Sequence, residues 1–296
     1  MTTTSAEDGS FSFESIPYGT WYVREIEQPA GFVLDDTIYS VTINADGQVV
    51  EIEIVNKYVR GNIHLTKVDS EYPDNKLTGA TFEVYKDSNA NGKLDDGDEL
   101  LGTLTEKEKG EYSMNDLFYG RYFVKETKAP EGFVLDTVVY EVMIDTNGKT
   151  YEVENKAGVG FVNDAMRGNL KIVKTSSDGN VKGFAFRITG ANGYDIILET
   201  NDKGEIFIDG LRIGDYTISE VSNSASSMYV LPADKKATVK LGSTTIVEMH
   251  NVLRDTPKTG DTTNLPLLYA LAGLSAVGIA VCGVIGFKKK KKEDRN

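Results

Sequence analysis

The sequence predicts an all-β body, a string of small antiparallel β-sandwiches, followed by one C-terminal transmembrane helix. Three observations predict it. Short runs rich in Val, Ile, Tyr and Phe, alternating with polar residues and bounded by Gly, Asn and Asp, fill the chain to residue 253. Those runs fall into recurring strings, the mark of repeated modules. Before Leu265 no segment keeps a 3.6-residue apolar period, whereas Leu265 to Phe287 is 23 residues without a charge.

The repeats set the boundaries. Gly61-Asn62-Ile63-His64-Leu65-Thr66-Lys67 returns 107 residues later as Gly168-Asn169-Leu170-Lys171-Ile172-Val173-Lys174. A second string follows a glycine three times: TWYVREIEQPAGFVLD from Thr20, RYFVKETKAPEGFVLD from Arg121 and DYTISEVSNSASSMYVLP from Asp215. A third closes each copy, as Ile54-Val55-Asn56, Phe161-Val162-Asn163 and Met249-His250-Asn251. The expected modules are a truncated sandwich at 1–60, lacking its first strand, and complete sandwiches at 61–167 and 168–253. A linker at 254–264, the membrane span at 265–287 and a basic tail at 288–296 follow. The N-terminus, MTTTSAEDGSFSFES, carries no basic, apolar export signal, so Met1 is expected to begin a fragment or a mis-assigned start inside a longer protein.

Charge and cysteine content narrow the function. The 296 residues sum to −13, and the last nine contribute +4, which leaves −17 on the body. Such a body repels a phosphate backbone and excludes nucleic acid as a partner. The single cysteine, Cys282, excludes a disulfide framework and a Cys-based zinc site. The sandwiches must be stabilised some other way.

Strand parity suggests how. Side chains alternate faces, so residues two apart share one. Ile63, Leu65 and Lys67 align, as do Leu170, Ile172 and Lys174. In the second string Tyr122, Val124 and Glu126 align, as do Tyr216, Ile218 and Glu220, and Trp21, Val23 and Glu25. In the third, Val159, Phe161 and Asn163 align, as do Val247, Met249 and Asn251, and Ile52, Ile54 and Asn56. Each complete module therefore aims one Lys, one Glu and one Asn at its core. A buried unpaired charge costs several kcal/mol, so these groups neutralise or find partners. Desolvation lowers a lysine pKa and raises that of a glutamate. A neutral amine can then attack the Asn carboxamide, polarised by the protonated Glu, and expel ammonia. An Nζ–Cγ amide between two strands remains, formed once, with no turnover. Strand ends already in water are the alternative reading of these positions.

Tyr122-Phe123-Val124-Lys125-Glu126-Thr127-Lys128-Ala129-Pro130-Glu131-Gly132-Phe133 resembles the E-box of Cna B-type (SpaA-like, prealbumin-like) repeat domains of Gram-positive adhesins and pilins. The resemblance extends over nearly all of 1–253. It implies Ig-like or prealbumin-like sandwiches and an intramolecular isopeptide bond. By position it assigns Lys67, Glu126 and Asn163 to the middle module and Lys174, Glu220 and Asn251 to the last. Asn155 is the alternative acceptor in the middle module. It lies 29 residues after Glu126, closer to the 31 that separate Glu25 from Asn56 and Glu220 from Asn251. The shared Asn-x-x-x-Arg-Gly-Asn context favours Asn163 and is given the greater weight.

The C-terminus gives the expected address. Lys288 to Lys292, directly after the apolar run, hold that end in the cytoplasm and put the body outside. Thr256-Pro257-Lys258-Thr259-Gly260 precedes the run, and Pro and Gly keep this pentapeptide extended. The arrangement resembles an LPXTG-like cell-wall sorting signal, with Thr256 in place of leucine. It implies that a sortase cuts between Thr259 and Gly260 and joins Thr259 to peptidoglycan or a pilus base.

Two further readings concern the body. Asp87, Asn89, Asn91, Asp95 and Asp98, with Gly92 at the sixth position and Glu99 one further on, match the spacing of a calcium loop. A polar hairpin tip is the alternative. His64 and His250 read as strand surface. The functional expectation is a wall-anchored stalk of an adhesin or pilin subunit, with no enzymatic activity and no required cofactor, and with a host matrix or cell-surface ligand as a further partner. The resemblance implies a Tyr-Pro-Lys-type donor lysine in a shaft pilin; the nearest string here is Tyr72-Pro73-Asp74, which disfavours shaft polymerisation. The alternative is the anchoring stalk of a larger extracellular enzyme whose catalytic domain lies upstream.

Overall fold

The computed structural model describes residues 1–255, and apart from one 3-10 turn at Ala191–Gly193 its regular elements are all strands. The TPKTG pentapeptide, the apolar run at 265–287 and the basic tail lie outside the described residues. Among the described residues no helix is long and apolar enough to cross a membrane. Two compact units are present. One comprises Met1–Leu170 with Ile208–Asp215 and Thr238–Thr245, the other Lys171–Phe207, Tyr216–Ala237 and Ile246 onward. The division departs from the repeat boundary, because the two short segments of the last repeat belong to the first unit.

Two sheets build the middle repeat. In one the order is Val139–Ile144, Gly120–Lys128, Thr81–Lys86, Glu99–Thr103. In the other it is Thr150–Glu152, Arg60–Asp69, Glu111–Phe118, Thr105–Glu108, with Phe161–Asn163 also on Arg60–Asp69. The strand Arg60–Asp69, here the lysine strand, alternates as its parity predicts, with Gly61, Ile63, Leu65 and Lys67 inward. Ile63, Leu65, Phe82, Val84, Tyr122, Val124 and Phe161 form the core, all at 0–1% exposure. Burying such side chains contributes about 1.5–3 kcal/mol each.

The last repeat is built alike. One sheet orders Glu205–Arg212, Arg167–Ser176, Thr244–Leu253, Tyr229–Val230, and the other Asp195–Glu199, Ala185–Thr189, Gly214–Val221, Lys235–Val239. Leu170, Ile172, Phe184, Phe186, Ile188, Ile218 and Met249 have no exposed surface. Residues 1–58 differ. They form only two two-stranded pairs, Gly19–Val23 with Tyr39–Ile43 and Phe32–Val33 with Lys57–Tyr58, and none of these residues is buried. Two-stranded ribbons have no facing layer against which to bury a side chain.

The repeated Gly-Asn has a local cause. A side chain at Gly61 would stand 2.9 Å from Ile144 and one at Gly168 would stand 2.1 Å from the Lys240 carbonyl, so only glycine lets these neighbours approach. The Asn62 and Asn169 side chains accept from the Asp116 and Gly210 amides, both at 3.1 Å. They thereby tie the start of each lysine strand to its neighbour.

Candidate functional site

Among the described residues, the only buried lysines, glutamates and asparagines are the six picked out by parity. Lys67, Glu126 and Asn251 are 0% exposed, Lys174 1%, Asn163 3% and Glu220 8%.

In the middle repeat Glu126 lies in the strand Gly120–Lys128, and Asn163 ends the short strand Phe161–Asn163. That short strand runs parallel to the lysine strand, with Phe161 opposite Lys67 and Asn163 opposite Asp69. Lys67 Nζ donates to the Phe161 carbonyl at 3.0 Å and stands 5.4 Å from the Phe161 ring centre. Asn163 Nδ2 donates to Glu126 Oε2 at 2.8 Å, and the Asp136 amide donates to the same oxygen at 2.8 Å. Glu126 Oε1 and Asn163 Oδ1 are buried without a hydrogen-bond partner. Burial pushes the Lys67 amine down to about 8, against the pull of Glu126, Asp136 and Asp69. Burial also pushes the Glu126 carboxyl up.

The last repeat reproduces this constellation. Asn251 Nδ2 donates to Glu220 Oε1 at 2.6 Å, and Glu220 Oε2 and Asn251 Oδ1 have no partner. Lys174 Nζ donates to the Thr175 carbonyl and lies 4.1 Å over the Phe184 ring. Burial lowers the Lys174 amine and raises the Glu220 carboxyl. Three residues past each lysine, the Ser70 and Ser177 amides donate to the backbone carbonyls of Asn163 and Asn251, at 3.2 and 3.0 Å. In residues 1–58 the Glu–Asn half is present: Asn56 Nδ2 donates to Glu25 Oε1 at 2.7 Å and the Asp35 amide to Oε2 at 2.8 Å, with both side chains half-buried.

Asn155 makes other contacts. Its Nδ2 donates to Asp136 Oδ2 at 2.9 Å and to the Val162 carbonyl at 2.8 Å, and its Oδ1 accepts from the Val162 amide at 2.6 Å. The carboxamide acts as a strand partner for the peptide of Val162.

Several residues of the site lie outside the sequence reading. Asp136 accepts from Tyr140 at 2.6 Å, and Asp178 accepts from Tyr229 at 2.7 Å. Phe-Val-Leu-Asp with a tyrosine four residues on, at Asp35–Tyr39 and Asp136–Tyr140, was the available signal for the first pair. Asp69, buried two residues after Lys67, is held by Arg212, whose Nη2 donates to it at 2.7 Å. No local pattern announces a partner 143 positions away.

In the loop read for calcium spacing, the side chains bond one another and the loop backbone. Asn89 and Asn91 turn their amide nitrogens, not their oxygens, toward Asp95, the former at 2.9 Å. Asp87 accepts from the Asn91 and Gly92 amides and Asp98 from those of Ser88 and Asp95. Glu99 instead begins a strand. These oxygens cap a hairpin tip, and among the described residues no group of three or more His, Cys, Asp or Glu is placed to hold a metal. His64, read as plain surface, bridges Glu152 at 2.6 Å and Glu111 at 3.0 Å.

Comparison with known proteins gives the same architecture. A solved structure, the Bacillus anthracis TIE protein, superposes with a TM-score of 0.62 at 25% identity, covering 84% of this chain and 44% of its own. The trypsin-resistant surface T6 protein of Streptococcus pyogenes serotype M6 is 28% identical over 184 residues, 61% of this chain and 30% of that protein. Colossin-A of Dictyostelium discoideum is 24% identical over 253 residues, 74% of this chain and 2% of that protein. The chain thus spans less than half the length of each of these relatives. The prealbumin-like fold domain of SpaA matches at residues 1–58, 61–157 and 168–252, and the chain belongs to that family.

Proposed function

We propose that this chain is a stalk segment of a wall-anchored surface protein, an adhesin or a pilin subunit, whose two complete sandwiches close Lys67–Asn163 and Lys174–Asn251 amide bonds. The observation that carries the reading is the repeated triad: a buried lysine beside a glutamate–asparagine hydrogen bond, with one glutamate oxygen and the asparagine carbonyl oxygen left unpartnered, twice over.

The chemistry follows from the burial. The ammonium of Lys67 passes one proton to Glu126, which leaves a neutral amine and a neutral acid; desolvation favours both. The amine attacks Cγ of Asn163 while the acid polarises the carboxamide. That attack forms the Nζ–Cγ bond, and collapse of the adduct breaks the Cγ–Nδ2 bond. Ammonia leaves and takes up the remaining proton as ammonium, and Glu126 ends as it began. The new amide ties the first strand of a sandwich to the last, so tension that enters by one and leaves by the other bypasses the hydrogen-bonded ladder between them. That takes the place of disulfides in a body without cysteine.

Anchoring rests on the sequence. Thr256 to Gly260, the charge-free 265–287 and the basic 288–296 fit a sortase substrate held transiently in the membrane, then joined to peptidoglycan or a pilus base. Intact mass of the full chain in detergent micelles tests the bonds. Two ammonia losses are expected, one removed by Lys67→Ala and the other by Lys174→Ala. A mass equal to that of the unmodified sequence overturns the crosslinks. Incubation with sortase and an amine acceptor tests the anchor, and an uncut Thr259–Gly260 bond overturns it.

A further inference from the structure

Resting on the proposed Lys67–Asn163 bond, we infer that Asp136, braced by Tyr140 and Asn155, is a positioning residue for it: it holds Glu126 and the closing strand together.

The geometry comes first. Asp136 faces two ways. Its backbone amide donates to Glu126 Oε2, the oxygen that also accepts Asn163. Its side chain accepts from Tyr140 and Asn155 on Oδ2 and from the Val138 amide on Oδ1, at 2.9 Å for the last. Asn155 in turn clasps both sides of the Val162 peptide, between the Phe161 carbonyl that holds Lys67 and the Asn163 side chain. The Tyr140 ring packs edge-on against Phe161 at 5.1 Å. One residue therefore links the proton carrier, through its amide, to the strand that carries the electrophile, through its carboxylate and Asn155.

The electrostatics agree. The titratable groups facing the site are Lys67 and Asp69 from the lysine strand, Glu126 from the next sheet, Asp136 from the loop after it, and Tyr140. Asp69 is neutralised by Arg212. Asp136 is held below the usual carboxylate range by its hydrogen bonds from Tyr140 and Asn155, despite burial, whereas burial raises Glu126 against the pull of the Asp136 amide and Asn163. Two neighbouring acids whose environments drive them apart have separate roles. Asp136 stays ionised and Glu126 takes the lysine proton.

The last repeat differs. It lacks the Phe-Val-Leu-Asp string, and the exposed Asp178, four residues after Lys174, accepts from Tyr229 and pulls the Lys174 amine up.

The test uses the full chain made by cell-free translation in detergent micelles across a pH series, with ammonia loss timed by intact mass and each bond located by peptide mapping. The Lys174–Asn251 bond is the internal control. Asp136→Asn keeps the shape and removes the charge. Weakening the bonds from Tyr140 and Asn155 is expected to slow the middle bond about tenfold, and losing a charge that holds up both Lys67 and Glu126 is expected to move the upper limb of its pH profile to lower pH. Tyr140→Phe and Asn155→Ala should slow it less, with Lys67 still joined to Asn163. Tyr140→Phe, which keeps the ring on Phe161, carries the test if Asp136→Asn does not fold. An Asp136→Asn chain with unchanged rate, or a slower one with an unmoved pH profile, overturns the inference. So does loss of the bond in Asn155→Ala with its retention in Asn163→Ala, which would make Asn155 the acceptor. A wild-type chain without ammonia loss in the middle sandwich defeats the crosslink reading itself and is recognised before any variant is made.

Discussion

Residues 1–58 and the middle sandwich hold the same glutamate–asparagine pair in different surroundings. The hydrogen bonds are alike, 2.7 Å for Glu25–Asn56 and 2.8 Å for Glu126–Asn163, and each glutamate also accepts the amide ten residues on. Burial separates them. Glu126 is fully enclosed, whereas Glu25 is half-buried and no residue before Val59 is buried. The early segment contains one lysine, Lys57, and no lysine strand packed between two sheets. The acid–amide hydrogen bond therefore forms without the lysine strand, and that strand's own apolar residues, Ile63 and Leu65, are what dry the site. The proposed proton transfer from lysine to glutamate depends on that dryness, since in water the ion pair wins.

The comparison breaks most visibly if Glu126 is dispensable. Glu126→Gln should remove one ammonia loss and leave Lys67 and Asn163 unjoined. In the chain-entropy treatment of a crosslink, losing a loop of this length lowers stability by about 4–5 kcal/mol. Glu220→Gln should lose nearly as much, because loop entropy changes only with the logarithm of length. Guanidinium unfolding and trypsin resistance check both. A Glu126→Gln chain that still loses two ammonias would show that burial alone suffices, without the acid.

Much of this was legible in the sequence because a strand has a period of two. Once Ile63 and Leu65 are inward, Lys67 must be, and the same parity buried Glu126 and Asn163. The repeats also gave the second copy. What parity cannot report is which distant group meets an inward side chain. Parity turns Asp69 inward with Lys67 but does not report that Arg212 meets it, nor that Asp136 bonds Glu126 through its amide. Asn155 and Asn163 both point toward the interior, and only the register of Phe161–Asn163 against the lysine strand separates their contacts. Likewise the loop 87–99 had calcium spacing, but spacing does not fix whether an asparagine offers its oxygen or its nitrogen.

A pH series sharpens the comparison next. In the unbonded Glu126→Gln chain Lys67 keeps a free amine; burial brings it from 10.5 to about 8 beside Glu126, and losing that carboxylate takes it lower still. Below 10.5 and above the folded value the unfolded chain binds more protons, so stability rises with pH across that window and is flat below it. The rise should be at least about 3 kcal/mol. Denaturant midpoints across that range measure it. The bonded chain has no such amine at Lys67 and should lack the slope; a slope of equal size in both would place the titration elsewhere.

The smallest effect is expected at Glu25. Glu25→Gln removes the acid from a pair already half in water, where a hydrogen bond is exchanged for one with solvent at little net gain. The stability change should stay within about 0.5 kcal/mol, the range of substitutions on an exposed surface. Two ammonia losses should remain, since no buried lysine faces Asn56. A drop as large as that of Glu126→Gln, or an ammonia loss in the wild-type chain mapping to Asn56 and missing from the variant, would show that hydrogen-bond geometry alone activates the amide. The lysine strand would then be a source of amine and not the agent that dries the site.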